Sequence, residues 1–214
     1  MRGLRFAVVP LCLALAGCVS IPDAKQLAVE PHGEAPMIMG AKGPLPAPEA
    51  EAAIRSLARF PGDDEALQRQ VALEGQVAKT PLTAGNRISL LQDGPTTYAA
   101  MKQIISAAKD TIDLEFYTLA ADSIGDAIAG LLIQKRQAGV AVQLIYDSQG
   151  SIDTPKPFWD RLRAGGVTVL EYNPLDPGQT RIGYNPNDRD HRKLLIVDGK
   201  IAVMGGINIT EIYI

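Results

Sequence analysis

Residues 190–208 of this 214-residue chain have the sequence DHRKLLIVDGKIAVMGGIN, and the remaining segments can be interpreted outward from it. Two short apolar and β-branched runs, residues 194–197 and 201–204, flank the dipeptide Asp198-Gly199. Asp-Gly is a favoured two-residue turn between antiparallel strands. The pattern therefore predicts a β-hairpin.

The hairpin has a predicted register, and that register groups polar side chains. A two-residue loop sets three facing pairs, namely Val197 with Lys200, Lys193 with Met204, and His191 with Gly206. Residues two apart on a strand project to the same side, so His191 and Lys193 share a face, and Asn208 follows if the strand continues. Gly205 and Gly206 would leave room for a ligand beneath them. A nucleophile or base, a fixed positive charge and a neutral donor are the parts of a phosphate site.

The spacing His-x-Lys-x4-Asp-x6-Gly-Gly-x-Asn, from His191 to Asn208, resembles the HKD signature of the phospholipase D superfamily, and of bacterial cardiolipin synthases in particular. The resemblance implies that His191 attacks phosphorus to form a phosphohistidine. It also implies that Lys193 and Asn208 hold the non-bridging oxygens in the transition state. Asp198 matches the aspartate of the catalytic motif, and its place at the turn favours an orienting role over proton transfer.

Further stretches carry the same resemblance between about residues 86 and 208. Residues 112–117, 122–125 and 139–150 are similar to the first half of cardiolipin synthases. Glu115 and Asp147 come at predicted strand ends, where a carboxylate either shapes the pocket or forms structural hydrogen bonds. Glu115 is the candidate pocket residue, together with Gly205 and Gly206.

The order of predicted elements indicates an α/β fold. After a strand at residues 88–91, helices are predicted at 96–108, 123–138 and 158–164, and strands at 111–117, 140–146 and 167–172. The sheet is expected to be largely parallel, with the hairpin added late. The resemblance implies one half of a phospholipase D-like α/β/α sandwich with a mixed sheet, spanning residues 86–214. Residues 173–190, rich in Pro, Gly, Asn and Asp, are predicted to form a loop over the site.

The amino-terminal region is typical of an exported lipoprotein. Residues 1–17 have early arginines and an apolar run that is too short to span a membrane, and Leu-Ala-Gly-Cys18 resembles a lipobox. We expect Cys18 to be lipidated; a buried apolar helix with an incidental cysteine is the alternative. Residues 18–48 are predicted to form a Pro-rich tether in which His32 is solvated, and residues 49–85 short amphipathic helices. The predicted location is the periplasmic side of a bacterial envelope, and Val19 favours the outer membrane.

Composition excludes several classes of site. The formal charge is −3, and removal of a leader that holds Arg2 and Arg5 would make it −5, so bulk nucleic-acid binding is not expected. Cys12 would leave with the leader and Cys18 would carry lipid, so no thiol remains for catalysis or metal binding. One usable histidine argues against a zinc site, and we predict no cofactor.

The function predicted from the sequence is phosphatidyl transfer on a membrane phospholipid such as phosphatidylglycerol, with hydrolysis when water replaces the accepting alcohol. The alternatives are a secreted HKD nuclease and a noncatalytic lipoprotein or orphaned half-enzyme. Members of the superfamily use two facing HKD motifs, whereas this sequence holds one. The given sequence ends six residues after Asn208, the last residue of that motif. We therefore expect a second HKD half or a homodimer to complete the site. Of these two, we favour a truncated first half that needs a separate second half over a chain designed to act as a dimer.

Overall fold

The computed structural model describes residues 37–58, 60, 63–78, 80–176, 178 and 184–214. The leader, Cys18, His32 and most of the expected tether lie outside the described residues, so what was expected of them stays a prediction. The chain divides into two compact units between Ile88 and Ser89, close to the predicted domain boundary at residue 86.

The first unit combines a small sheet with two helices. Its elements are β1 (Ile38–Gly40), β2 (Gly43–Pro44), α1 (Ala47–Arg55), α2 (Asp63–Ala78) and β3 (Leu82–Thr83), with strand order β2-β1-β3. Both helices were predicted. The strands were not, because the residues of β1 and β2 had been assigned to the tether and those of β3 to the helical segment 49–85. The buried side chains of Ile38, Ala50, Ile54 and Val71 form a local core, which explains why this Pro-rich segment is ordered.

The second unit contains the predicted alternation of helices and strands. Its elements are α3 (Gly94–Ala107), β4 (Thr111–Phe116), α4 (Ser123–Gln137), β5 (Ala141–Asp147), α5 (Lys156–Ala164), β6 (Thr168–Tyr172), β7 (Lys193–Val197) and β8 (Ile201–Met204), followed by a short 3₁₀ turn at Glu211–Tyr213. Side chains cap the first turns of α3 and α4, the two longest helices of this unit. Asp93 accepts a hydrogen bond from the Thr96 amide, and Asp122 accepts bonds from the amides of Ile124 and Gly125.

The sheet of this unit has the strand order β6-β5-β4-β7-β8. Strands β4, β5 and β6 are parallel, whereas β7 runs antiparallel to β4 and to β8. The α/β class with a mixed sheet and a late hairpin is therefore confirmed. Strand β6 lies at one edge of the sheet, and β7, the next strand in the chain, begins beside the carboxyl end of β4.

The two faces of this sheet differ in cover. One face packs on the helices through side chains that are almost fully buried, among them Ile112, Leu114, Phe116, Leu144 and Leu195. On the other face, Asp113, Glu115, Ile145, Leu170 and Ile196 line an open groove of about 390 Å³. Within the described residues of this unit, helices pack on one face only, so the second helical layer of the expected sandwich is not among them.

Two details of the prediction were wrong. Residues 88–91 form no strand in this described stretch, and Ile88 and Leu90 are 90% and 80% exposed. Alternating apolar residues suggested a strand there, but no neighbouring strand pairs with the segment.

The hairpin register was also wrong, by one residue. Val197 pairs with Ile201, and Leu194 takes the place beside Met204 that was predicted for Lys193. The loop has three residues because Lys200 joins Asp198 and Gly199, whose φ angles are 54° and 61°. As a result, neither His191 nor Gly206 lies within a strand, and they do not form the predicted pair.

Candidate active site

Three chain segments meet at the carboxyl end of β4, which is the place where ligands bind in open α/β sheets. Because β7 is antiparallel to β4, Lys193 at the start of β7 pairs with Phe116 at the end of β4. The pairing extends one step further, since the Tyr117 amide donates a hydrogen bond to the Arg192 carbonyl oxygen at 3.2 Å. This geometry places the motif histidine and lysine beside Tyr117.

The ring of Tyr117 contacts both of these motif residues. Its centroid lies 4.7 Å from that of His191 in an edge-to-face arrangement, and Lys193 Nζ lies 5.2 Å from the Tyr117 centroid. The imidazole of His191 belongs to an exposed residue, so it can reach an external ligand. Tyr117 was not among the predicted site residues; its place in a segment similar to cardiolipin synthases was the signal that could have revealed it.

Lys193 is a buried cation at the base of this site. Only 7% of the residue is exposed, and Nζ donates a hydrogen bond to the His191 carbonyl oxygen at 2.5 Å. Burial lowers the pKa of Lys193, and the nearby charge of Asp190 opposes that effect. An ammonium in such surroundings attracts an anion more strongly than one in bulk water does.

Asn208 is brought to the residue that follows Tyr117. Its Oδ1 accepts a hydrogen bond from the Thr118 amide at 3.2 Å, and its Nδ2 lies 3.4 Å from the Tyr213 hydroxyl oxygen. The Tyr98 hydroxyl, from α3, contacts the Asn208 carbonyl oxygen at 2.8 Å. The side chain of Asn208 is thus held between the end of β4 and the 3₁₀ turn, and its main chain is held by α3.

Of the remaining motif residues, Gly205 stays next to the site, since its amide donates a hydrogen bond to the Lys193 carbonyl oxygen at 3.4 Å, whereas Asp198 does not. Asp198 is at the opposite end of β7, on the order of 16 Å from Lys193 for a five-residue strand. Its carboxylate accepts hydrogen bonds from three successive amides, those of residues 109–111, which lower its pKa. The structure therefore does not bring Asp198 to the histidine. Gly205 and Gly206 face open space, since an added Cβ would meet no atom within 4 Å at either position.

Glu115 lies on the open face of the sheet, next to the residues that flank His191. Arg192 Nη2 is 2.6 Å from a Glu115 carboxylate oxygen, and Arg192 Nε is 2.9 Å from Asp190 Oδ1. Burial and the neighbouring Asp190 raise the pKa of Glu115 to about 7, although Arg192 opposes this effect. Asp190 and Arg192 were not predicted as site residues, because only the β4–β7 pairing brings them to Glu115.

Asp147 anchors the same segment from the end of β5. It is fully buried, and its Oδ2 accepts a hydrogen bond from the Asp190 amide at 2.9 Å. Its other oxygen accepts from the amides of Gln149 and Gly150 and forms a 3.4 Å ion pair with Arg189. Asp147 thus forms the structural hydrogen bonds that were one of its two predicted roles.

The described part of the chain lacks both a cluster of metal-ligating side chains and a helix that could span a membrane. No group of three or more His, Cys, Asp or Glu side chains there could hold a metal ion. None of the helices in the described ranges is both long and apolar enough to cross a membrane.

A family model for the PLD-like domain of cardiolipin synthase matches residues 101–213, which is more than half of the chain. The chain belongs to this family. The match covers β4 to β8 and every predicted site residue except Cys18. The family assignment made from the HKD spacing is therefore confirmed.

Relatives with curated names include the cardiolipin synthase of Alkalihalophilus pseudofirmus, 34% identical over 143 residues, and cardiolipin synthase A of Pseudomonas aeruginosa, 34% identical over 139 residues. These alignments cover 66% and 65% of this chain but only 28% of each relative. Among solved structures, the phospholipase D family member Nuc from Salmonella typhimurium is 21% identical, with a TM-score of 0.40, over 53% of this chain and 64% of Nuc. NucT from Helicobacter pylori is also 21% identical, with a TM-score of 0.37, over 53% of this chain and 67% of NucT.

Proposed function

We propose that this cardiolipin synthase-like chain acts on the phosphodiester of a membrane phospholipid and transfers its phosphatidyl group to an alcohol. The observation that carries the proposal is the meeting of His191 and Lys193 at the ring of Tyr117. An exposed imidazole beside a buried ammonium supplies a nucleophile and a charge that stabilises phosphate oxygens. Asn208, held at Thr118, adds a neutral amide to the same end of the sheet.

The proposed reaction has two displacements at phosphorus. His191 attacks the phosphorus of a phosphatidylglycerol-like lipid, a P–N bond forms, and the P–O bond to the head-group alcohol breaks. The departing oxygen takes a proton from an acid. A second alcohol then attacks phosphorus, its proton leaves to a base, and the P–N bond breaks to restore the imidazole. Water in place of that alcohol gives phospholipase D hydrolysis.

The acid in the first displacement comes from outside this single motif. We propose that a second HKD half, or a second copy of this chain, supplies it through a second histidine. The chain spans 28% of the length of the two curated cardiolipin synthases. Lys193 and Asn208 carry the phosphate oxygens during both displacements, so a metal ion has no assigned task.

Trapping of the covalent intermediate tests the assignment. The full chain is mixed with vesicles that contain phosphatidylglycerol labelled with ³²P, quenched, and analysed for acid-labile label bound to protein. With the second HKD half added where the chain alone is inactive, we expect label on the unmodified chain and on His32→Ala, which removes the other histidine, and none on His191→Ala. Label on His191→Ala would refute the proposal, and cleavage of DNA without lipid turnover would favour the nuclease alternative.

The proposed location follows from the lipobox resemblance. We propose that acylated Cys18 anchors the chain at the periplasmic side of the bacterial envelope, where phospholipid substrate is within reach. Labelled palmitate is expected to enter the chain in growing cells and to be absent from Cys18→Ala. Equal labelling of both forms would refute the anchor.

A further inference from the structure

Arg192, the residue that follows His191, joins two carboxylates from different parts of the fold. Its Nε lies 2.9 Å from Asp190 Oδ1 and its Nη2 lies 3.2 Å from Asp190 Oδ2, so the guanidinium contacts Asp190 at two points. The same Nη2 lies 2.6 Å from Glu115 Oε1, on strand β4. The two residues that flank His191 are therefore tied to each other and, through Glu115, to the sheet.

The burial of these three side chains differs. Those of Glu115 and Asp190 are 16% and 4% exposed, whereas that of Arg192 is 68% exposed. Both carboxylates contact the same nitrogen, so they are neighbours and would repel each other without a cation between them. An ion pair at the surface usually contributes little, but loss of this guanidinium would leave two poorly hydrated carboxylates side by side.

The main chain on either side of His191 is held at the same time. The Asp190 amide donates to Asp147 Oδ2 at 2.9 Å, and the Arg192 carbonyl oxygen accepts from the Tyr117 amide at 3.2 Å. The Arg192 amide also donates to Asp190 Oδ1 at 3.1 Å. These bonds fix the residues before and after His191 but not the imidazole itself.

The imidazole of His191 has few restraints of its own. Among the described residues, no protein atom hydrogen-bonds to either ring nitrogen, and the Tyr117 ring is the aromatic contact of the imidazole. A histidine that acts in chemistry is commonly oriented by a hydrogen bond at its second ring nitrogen. Here the direction of the imidazole depends instead on the conformation of residues 190–192 and on the Tyr117 ring.

We propose that Arg192 is a positioning residue for His191, whose guanidinium bridges Asp190 and Glu115 and thereby holds the imidazole against the Tyr117 ring. The proposal rests on the proposed function, since it concerns the orientation of that nucleophile. It assigns Glu115 to the anchoring of Arg192 rather than to contact with substrate. Arginine suits this task because its planar fork contacts two carboxylates at once, which a lysine ammonium does less well.

The pose of His191 can be measured without turnover. In the full chain with His32→Ala, every imidazole signal comes from His191, so the nuclear Overhauser effect between the His191 and Tyr117 rings reports their contact. We expect the effect in this parent chain and its loss in Arg192→Ala, because the segment around His191 is no longer held in one conformation. Amide signals of the core establish that each variant is folded.

The condition and the control make this comparison specific. The spectra are recorded at pH 8, above the pKa of Glu115, which burial raises to about 7, so that the carboxylate that contacts Arg192 is ionised. The matched control Arg161→Ala removes another exposed arginine, one that pairs with Asp126 between α4 and α5, and it should keep the effect.

Two further variants separate the contributions to the cluster. Arg192→Lys covers the case in which Arg192→Ala fails to fold, since it keeps a cation beside both carboxylates, and it should weaken the ring contact rather than abolish it. Glu115→Gln should lower turnover in the parent but not in Arg192→Ala, because Glu115 acts through Arg192. An equal loss in both backgrounds would overturn the assignment of Glu115.

Turnover distinguishes positioning from lipid binding. With the second HKD half added where the chain alone is inactive, Arg192→Ala should lower kcat for phosphatidyl transfer by about 30-fold and leave KM within about twofold of the parent. A raised KM with an unchanged kcat would overturn the proposal, because the guanidinium would then bind the lipid itself, and so would a ring contact that persists in folded Arg192→Ala. Absence of turnover in every form would count against the proposed function, while the ring contact would still decide the role of Arg192.

Discussion

Tyr117 follows strand β4 and connects it to the HKD motif, which lies more than 70 residues later in the chain. Its ring contacts both His191 and Lys193. The ring also lies against Gly150, and this close packing is possible because Gly150 has no side chain. The ring therefore helps to fix the position of His191, the proposed nucleophile, relative to the Lys193 ammonium, and such alignment is worth large factors in rate.

We predict that Tyr117→Ala lowers phosphatidyl transfer by about 100-fold, because both motif side chains lose their shared neighbour. Tyr117→Phe keeps the ring and should remain within about threefold of the parent. Initial rates on phosphatidylglycerol vesicles, with circular dichroism to check folding, measure both. Equal losses in the two variants would show that the hydroxyl group, rather than the ring, is what matters.

Gly150 and Gly130 form a matched pair of positions at the scale of elements. A Cβ on Gly150 would lie 2.2 Å from the Tyr117 carbonyl oxygen and 2.7 Å from its ring, whereas one on Gly130, inside α4, would meet nothing within 4 Å. Gly150→Ala is expected to lower both stability and turnover. Gly130→Ala should raise the free energy of unfolding by about 1 kcal/mol, since alanine favours the helix. Urea unfolding compares them, and a neutral Gly150→Ala would contradict the close approach.

Asp198 links two elements, the β7–β8 turn and the start of β4. The amides of Lys109, Asp110 and Thr111 donate to its carboxylate and lower its pKa below 3.8. A carboxylate with a lowered folded-state pKa contributes stability that is present above its unfolded value and is lost as the pH falls through the folded value.

We therefore predict that Asp198→Asn is less stable than the parent at pH 7, with Asp198→Ala less stable still because alanine also tolerates the positive φ poorly. The difference between the parent and Asp198→Asn should narrow as the pH falls below 3.8. Urea midpoints at a series of pH values test this. A gap that stays constant with pH would exclude the carboxylate charge as the cause.

Features of the fold and site could be predicted where their signals are local in the sequence, and could not where they depend on long-range contacts. Helices and strands of the second unit were predicted to within two residues because apolar periodicity and capping residues are local signals. The predicted hairpin register was wrong because the loop has three residues, whereas Asp-Gly alone indicates a loop of two. In this longer loop Asp198 accepts hydrogen bonds from amides that are distant in the sequence, which a local pattern does not reveal. Likewise, the HKD spacing singled out His191 and Lys193, whereas the contact of Glu115 with Arg192 depends on β4–β7 pairing.

At the scale of the whole molecule, the main sheet has a face that helices do not cover in the described residues of its unit. Parallel strands are normally covered on both faces. Here Leu170 and Met204 are 56% and 74% exposed, and the groove of about 390 Å³ is lined by residues of β6, β5, β4 and β7. Exposed apolar area of this kind favours association with further polypeptide.

We predict that a solitary copy of this chain does not turn over phospholipid, because the first displacement needs a proton donor that one HKD motif does not contain. If two copies supply the two histidines, excess His191→Ala chain will lower the activity of the unmodified chain by pairing with it, about tenfold at a ninefold excess. Excess Gly130→Ala chain, which keeps His191, is the control and should not lower activity. If the donor belongs to a separate half, the purified chain will be inactive at every concentration and regain turnover only when that half is added. Mass in solution is measured alongside, and an active monomer that is indifferent to excess His191→Ala would show that one motif suffices.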